Sequence, residues 1–228
     1  MADELDKLGI KLKAHVKEKD KISIKSSKIN REFEKFLLLL ITEILHKVNQ
    51  ERYIDVLYTI TKELAINGVK ANQKRIFFEE EGLSILNEDD YSTGMDRYKS
   101  KFSDRMVDEY GVKSQQKGIY VQINFFYHKK GMYVEVMNNT PVIKKEEARL
   151  REKMKKAMGY NDIAEFYIDN MDNTEGAGLG IALTVILLKN ENIDPNLFRI
   201  ITKPDMTIAR VEIPFVPDYT SLRKSEIR

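Results

Sequence analysis

Apolar residues in the first third of the chain recur at helical spacing. Between positions 33 and 48 they follow the i, i+3, i+4 pattern of a helix with one buried face. Asn30 precedes this run and predicts its N-cap. A second run of the same kind extends from Arg52 to Lys74, with a turn predicted at 50–51. We therefore expect two helices that face a common core.

Later in the chain the pattern changes to the alternation of apolar and polar residues that is typical of half-buried strands. It predicts a hairpin over 118–136 with its turn at 128–131, a second hairpin over 197–214, and a short strand at 75–78. Two further helices are predicted, one charged (144–158) and one strongly apolar (181–190). Residues 79–117 are polar and look irregular, with one short helix expected over 98–110.

This order of elements predicts an α+β fold. Strands joined by short turns are antiparallel, so we expect a two-layer α/β sandwich with helices packed on one face of a mixed, mostly antiparallel sheet. The expected organisation is a basic extension (1–30), a main domain (31–215) with an insertion (79–117), and a polar tail (216–228). The lysine-rich extension is either a solvated terminus or a short strand or docking arm.

Composition narrows the classes of function. The 38 basic and 36 acidic residues leave a net charge of +2, so no global field favours nucleic acid. There is no cysteine, and the three histidines are not spaced as metal ligands. No apolar run reaches the roughly 20 residues that span a bilayer, and the N-terminus has no apolar signal-peptide core. We expect a cytoplasmic protein without a membrane span.

A glycine-rich stretch precedes the apolar helix. Gly176, Gly178 and Gly180 occupy alternate positions, and a helix is predicted directly after them. Glycines allow a backbone to approach a ligand closely, and the first turn of a helix offers unpaired N–H groups to an anion. The stretch is therefore either a phosphate cradle or a turn that caps a buried helix.

A second set of polar residues lies on the second predicted helix. Glu63, Asn67 and Lys70 have i, i+4, i+7 spacing and share one helix face. The Asn67 oxygen suits a hard cation such as Mg²⁺, the Lys70 ammonium suits phosphate, and the Glu63 carboxylate can polarise a water or hydroxyl. The alternative interpretation is a solvated polar stripe.

These two sets resemble motifs of the GHKL superfamily, which contains histidine-kinase catalytic domains, gyrase, the 90 kDa heat-shock chaperones and MutL. The Glu63–Lys70 stretch resembles the asparagine box, and 176–180 resembles the second glycine box, including its Leu179–Gly180 pair. Thr207 opens a last strand that resembles the family's Gly-Thr strand and ends at Pro214. The resemblance covers roughly residues 33–215.

The resemblance implies a Bergerat-type fold that binds ATP and Mg²⁺ between helices and sheet, with a lid at about 143–175. Asn67 would hold the metal and Glu63 would act as the catalytic base. The implied nucleotide-binding residues are Asn67, Lys70, Asn138, Gly176, Gly178, Leu179, Gly180 and Thr207. His46 lies too close to Asn67 in the chain for a separate dimerisation hairpin, so a kinase of this type would phosphorylate a separate protein.

One box departs from the family pattern. Asn138 stands at the position of the base-reading aspartate, and Thr140 and Val142 stand at the positions of two glycines. An amide oxygen still accepts a hydrogen bond from an amino group. The departure leaves a second hypothesis open, a degenerate domain that serves as a protein-interaction or regulatory module without turnover. A DNA-linked ATPase is a third and weaker hypothesis, because no basic face is evident beyond the first 30 residues.

Overall fold

The computed structural model describes residues 11–101, 103–170 and 179–225. The helices are α1 (residues 11–18), α2 (Arg31–Lys47), α3 (Ile54–Glu80), α4 (Glu88–Lys101), α5 (Asp104–Gln116), α6 (Lys144–Ala157), α7 (Ile163–Asp169), α8 (Leu179–Asn190) and α9 (Leu222–Ser225). The strands are β1 (Lys21–Ser26), β2 (Val121–His128), β3 (Gly131–Asn138), β4 (Phe198–Thr202) and β5 (Thr207–Pro214).

The five strands form one sheet in the order β1-β2-β3-β5-β4. Each pairing between these strands is antiparallel, which corrects the expectation of a mixed sheet: the β4–β5 hairpin joins the sheet through its second strand, antiparallel to β3. Both predicted hairpins are confirmed. The lysine-rich segment contributes the edge strand β1, so of the two interpretations of this segment the strand applies to residues 21–26.

One face of the sheet is apolar and packs against the helices. A row of paired, buried side chains crosses all five strands at mid-height: Ile22, Phe125, Val134, Val211 and Phe198. The alternation of strand side chains places these residues on the same face. They share one core with the buried faces of α2, α3 and α8. The chain is therefore an α+β protein with helices packed on an antiparallel sheet.

The two helices predicted in the first third of the chain form as α2 and α3. The Asn30 side chain accepts a hydrogen bond from the Phe33 N–H at 2.9 Å, which confirms the N-cap. A short 3₁₀ turn at Glu51–Tyr53 separates α2 from α3. Five α2 residues that follow the predicted spacing are buried: Leu37, Leu40, Ile41, Ile44 and Leu45.

Helix α3 is longer than predicted, and the strand predicted at 75–78 is wrong. The buried positions continue at helical spacing through Val69, Gln73, Ile76 and Phe77, because the last turns of α3 face a second cluster of apolar residues. Helices α4 and α5 supply the other half of this cluster. The rings of Phe77 and Tyr98 are 5.5 Å apart, edge to face. Residues 79–117 are thus mostly helical and not irregular.

The C-terminal segment is attached to the sheet through a buried carboxylate. Glu212 of β5 is fully buried and accepts hydrogen bonds from the Tyr219 hydroxyl at 2.9 Å, the Ser221 hydroxyl at 3.0 Å and the Leu222 N–H at 3.0 Å. The Tyr219 ring lies against Gly131, where an added Cβ would come within 2.4 Å of it. Burial and the Glu212 carboxylate raise the pKa of Tyr219, so the phenol is neutral and donates.

We expect Tyr219→Phe to lower the free energy of unfolding by roughly 1.5–3 kcal/mol, because it removes a donor from a buried charged acceptor. The measurement is urea denaturation at pH 7. The control is Tyr167→Phe on α7, where the side chain is half exposed. A loss smaller than about 0.5 kcal/mol for Tyr219→Phe, the range of an ordinary surface substitution, would contradict this account.

Candidate functional site

A cavity of about 420 Å³ lies between the helices and the sheet face. Helices α3, α4, α6 and α8 form its walls together with the ends of strands β3, β4 and β5. This is the size range of cavities that bind small molecules and cofactors. Of the predicted binding residues, four line it: Asn67, Lys70, Asn138 and Thr207.

Asn67 of the lining contacts Glu63 of the same helix face and Gly180 of α8, and neither Glu63 nor Gly180 lines the cavity itself. A Cβ added to Gly180 would lie 2.8 Å from the Asn67 Nδ2 and 3.2 Å from the nearer Glu63 carboxylate oxygen. Only a hydrogen atom fits between the start of α8 and this face of α3. The Asn67 Nδ2 is buried without a hydrogen-bond partner among the described residues. Such an atom is costly unless a ligand or water satisfies it.

Asn138 also lines the cavity, where it contacts α3 at Gly68, the residue after Asn67. It is about nine-tenths buried, and its Nδ2 donates a long hydrogen bond of 3.4 Å to the Gly68 carbonyl. The other atom of this amide is its Oδ1. That oxygen is buried and accepts no hydrogen bond from the described residues.

The loop that follows Asn138 is fixed by side chains on both sides. The Thr140 hydroxyl donates to the Asn72 Oδ1 at 2.9 Å. The Thr207 hydroxyl accepts from the Val142 N–H at 3.0 Å and donates to the Thr140 carbonyl at 3.3 Å. Thr140 is itself buried. The loop that carries Thr140 and Val142 is therefore held in place by β5 and α3.

Beyond this loop, a single carboxylate bridges α3 and α6. Glu146 forms ion pairs with Lys74 and with Arg75, the latter at 3.2 Å, and Arg75 also donates to the Pro141 carbonyl. These three side chains are each less than a fifth exposed. Although burial opposes it, the two cations hold the pKa of Glu146 below its ordinary value.

Helix α4 closes the same end of the cavity, which the sequence did not predict. Tyr91, Met95, Tyr98 and Lys99 of this helix line it. Burial raises the pKa of Tyr98 to about 12, so this wall is neutral apart from Lys99. The position of Lys74 could have been predicted from the sequence, because Lys74 follows Asn67 by seven residues and so lies on the same helix face. No pattern in the sequence indicates that the α4 residues line the cavity, because their position depends on packing against the end of α3.

The remaining predicted residues have different outcomes. Leu179 begins the described part of α8 and is about one-third exposed. Gly176 and Gly178 lie outside the described residues. His46 is on α2, where its Nδ1 is 3.0 Å from a Glu51 carboxylate oxygen, and it does not line the cavity.

The described residues show neither a metal-binding cluster nor a membrane-spanning helix. Within the described ranges, no three His, Asp or Glu side chains are grouped to hold a metal ion. None of the described helices is both long enough and apolar enough to cross a bilayer.

Comparisons with known proteins add one relative. No protein-family model matches the chain, and no solved structure matches it. The chain is 31% identical over 193 residues to an uncharacterised protein of Treponema pallidum (strain Nichols). The match covers 85% of this chain but only 37% of that protein, so the chain spans little more than a third of the length of the relative.

Glu146→Gln tests the bridge between α3 and α6. We expect a loss of about 3 kcal/mol in the free energy of unfolding at pH 7, because breaking a buried ion pair leaves its partners uncompensated. The pKa of Glu146 is lowered in the folded state. The contribution of Glu146 to the free energy of unfolding is therefore complete above the ordinary carboxyl pKa, and it is lost as the pH falls through the lowered pKa. The difference from wild type should therefore shrink in acid.

The measurement is urea denaturation from pH 7 downward. The control is Glu152→Gln on the same helix, whose side chain is 63% exposed in its pair with Lys156. Equal effects of the two substitutions at pH 7 would show that the bridge contributes nothing.

Proposed function

We propose that the cavity binds Mg²⁺ and an adenine nucleotide, and that the chain is a GHKL-type catalytic domain with a Bergerat-type fold. The observation that carries the proposal is the close approach of Gly180 to Glu63 and Asn67, beside a cavity that Asn67 lines together with Asn138 and Thr207. These residues are far apart in the sequence, and the resemblance assigns all of them to one site.

The end formed by Glu63, Asn67 and Gly180 suits the phosphates and the metal. Gly180 lets the start of α8 approach the Asn67 amide closely, since an added Cβ would lie 2.8 Å from its Nδ2. This Nδ2 is a buried donor without a partner among the described residues, and a donor suits a phosphate oxygen. Mg²⁺ keeps several waters and takes few ligands from the protein. One amide oxygen together with nucleotide phosphates is therefore a sufficient donor set, and no cluster of acids is required.

The middle of the cavity suits the base. Asn138 lines the cavity. Its Nδ2 donates to the Gly68 carbonyl, and its Oδ1 is a buried acceptor without a partner among the described residues. An acceptor pairs with the exocyclic amino group of adenine and not with the carbonyl of a 6-oxo purine. Asn138 is uncharged, so its recognition of the base does not depend on pH.

The proposed reaction is phosphoryl transfer to a separate protein in a signalling pathway. Mg²⁺ supplies charge neutralisation on the phosphates when it is bound. Lys70 contributes a positive charge on the same face of α3. Glu63 takes the proton of the acceptor while the bond from the acceptor to the γ-phosphorus forms and the bond from that phosphorus to ADP breaks. His46 is outside the cavity lining and paired with Glu51, which favours an external acceptor.

A second candidate function is a regulatory or protein-interaction module that binds without turnover. The fixed loop after Asn138 favours it, because Thr140 is buried and tied to Asn72. A rigid loop at this position suits a constant, ligand-independent shape better than a cycle of opening and closing. The two candidates share the fold and differ in whether phosphoryl transfer occurs.

Mg·ATP should stabilise the chain. At 100 times its dissociation constant we expect about 2.7 kcal/mol of added stability, because the ligand binds only the folded state. Asn67→Ala should abolish the effect and Lys70→Gln should reduce it. The measurement is thermal unfolding with and without Mg·ATP. Lys62→Gln is the matched control, because Lys62 lies on the same helix against the Tyr58 ring and does not line the cavity.

Absence of any stabilisation by ATP or ADP would refute nucleotide binding. Equal stabilisation of the wild type and Asn67→Ala would place the nucleotide elsewhere on the molecule.

Glu63→Gln separates the two candidate functions. If the chain is a kinase or ATPase, this variant should retain stabilisation by Mg·ATP and lose at least about 100-fold in turnover, which is the usual contribution of a general base. Phosphate release and transfer to proteins of the source cell are the measurements. Asp55→Asn, an exposed acid on the same helix, is the control. Binding without turnover in the wild type would favour the regulatory module.

A further inference from the structure

The first elements of the described chain, α1 and β1, carry a stripe of lysines along one edge of the molecule. Residues 11–25 contain six lysines and two acids, so their formal charge is +4. All six lysines are exposed, and together they form the lysine stripe: Lys11, Lys13, Lys17, Lys19, Lys21 and Lys25. Within the described ranges no ion pair includes any of the six. The acid Asp20 pairs with Lys47 of α2, at 3.0 Å.

Packing of α1 against the sheet fixes these lysines on the surface. Leu12 and Val16 are four residues apart on α1 and are buried in the core, so the other side chains of this helix face outward. The Val16 carbonyl accepts a hydrogen bond from the Tyr127 hydroxyl at 3.3 Å, and the Asp20 carbonyl accepts one from the Tyr127 N–H at 3.1 Å. The helix is thus attached to the end of β2, and its lysines continue directly into β1.

Along β1 the lysine stripe continues on the sheet face that is opposite to the core. Ile22 of β1 is buried against the helices, and the residues that alternate with it point the other way. On that outer face the side chains of β1 and β2 are paired: Lys21 with Phe126, Ser23 with Asn124, and Lys25 with Gln122. Cations therefore lie beside hydroxyl and amide groups, which also bind phosphate and sugar oxygens.

Aromatic rings border the same lysines. The Lys21 Nζ lies 4.7 Å from the centre of the Phe126 ring, and the Lys25 Nζ lies 4.3 Å from the centre of the Tyr120 ring. The Phe126 ring is stacked on that of Tyr133, with 4.4 Å between their centres. All three rings are half-buried. A ring next to a cation offers stacking for a base beside a charge for its phosphate.

The chemistry of the stripe favours a polynucleotide over a lipid surface. A helix that binds at a membrane surface presents an apolar face that enters the lipid. In the lysine stripe the apolar residues face inward instead: Leu12, Val16 and Ile22 are buried, and Ile24 packs against the core. A line of lysines complements a line of phosphates, and the neighbouring rings complement bases.

We propose that the lysine stripe binds a single-stranded nucleic acid, with the phosphates on the lysines and bases against Phe126 and Tyr120. A single strand fits better than a duplex, because its unpaired bases are free to stack on aromatic side chains. The residues of the stripe do not line the candidate cavity. The inference therefore goes beyond the proposed function and does not rest on it.

The test is fluorescence anisotropy of a labelled oligouridine strand titrated with the full chain, without ATP, at salt concentrations from about 50 to 200 mM. The logarithm of the binding constant should fall linearly with the logarithm of the salt concentration. The double variant Lys21→Gln/Lys25→Gln should reduce the steepness of this line by about 1.4, because each lost phosphate contact removes about 0.7. Lys21→Arg/Lys25→Arg keeps both charges and should keep the slope.

The matched control is Lys35→Gln/Lys155→Gln, which removes two charges from exposed lysines of α2 and α6. It should leave the slope unchanged and change the affinity less than twofold. Phe126→Leu should weaken binding at least about fivefold without changing the slope, because stacking of a base involves no charge. Thermal unfolding of each variant checks that it is folded.

Absence of binding at the lowest salt concentration, or equal losses in the stripe and control variants, would overturn the inference. Tighter binding of the duplex with oligoadenosine would also overturn it, as would tighter binding to vesicles that contain phosphatidylserine, which would identify a membrane surface as the partner. Asn67→Ala should leave oligouridine binding unchanged, and a loss in this variant would place the strand in the cavity instead. Failure of the proposed nucleotide site is thus distinguishable from failure of the stripe.

Discussion

The candidate site depends on a single close approach between two helices. Helix α8 begins against the face of α3 that carries Glu63 and Asn67, and only the hydrogen of Gly180 fits between them. Any side chain at this position would separate the helices or displace the amide of Asn67. Because α8 also packs its apolar residues into the core, its position is fixed at one end by the core and at the other by this contact. The carboxylate, the amide and the start of α8 are held together in this way.

The rest of the cavity is arranged in sequence along α3. Asn138 approaches the helix at Gly68, Thr140 at Asn72, and Glu146 at Lys74 and Arg75. The chain from β3 into α6 thus follows the helix for two turns, tied to it by side-chain hydrogen bonds and an ion pair. The residues of this stretch that contact α3 therefore line one continuous side of the cavity.

Aromatic residues distinguish the α4 end of the cavity. Tyr91 and Tyr98 of α4 line it, and both are buried. The aromatic residues of α4 cover that end and reduce its contact with water, and this strengthens electrostatic interactions there. The segment 79–117, which the sequence presents as an excursion, is therefore part of the cavity wall and not an appendage to it.

The sequence by itself determined the elements whose pattern is local. The cap at Asn30, both hairpins, the charged helix α6, and the shared helix face of Glu63, Asn67 and Lys70 follow from spacing and short-range hydrogen bonding. The α+β class follows from their order. These properties depend on neighbouring residues, which a sequence displays directly.

Tertiary structure alone decided the rest. The run at 75–78 is apolar enough for a strand, but it continues α3 because α4 and α5 cover it with aromatic residues. The attachment of the C-terminal segment to Glu212 and the placement of Tyr91 and Lys99 in the cavity depend on contacts between distant parts of the chain. Glu146 shares its charge with α3 residues about 70 positions away. Such pairings arise only when the helices pack, because burial sets which charges must be matched.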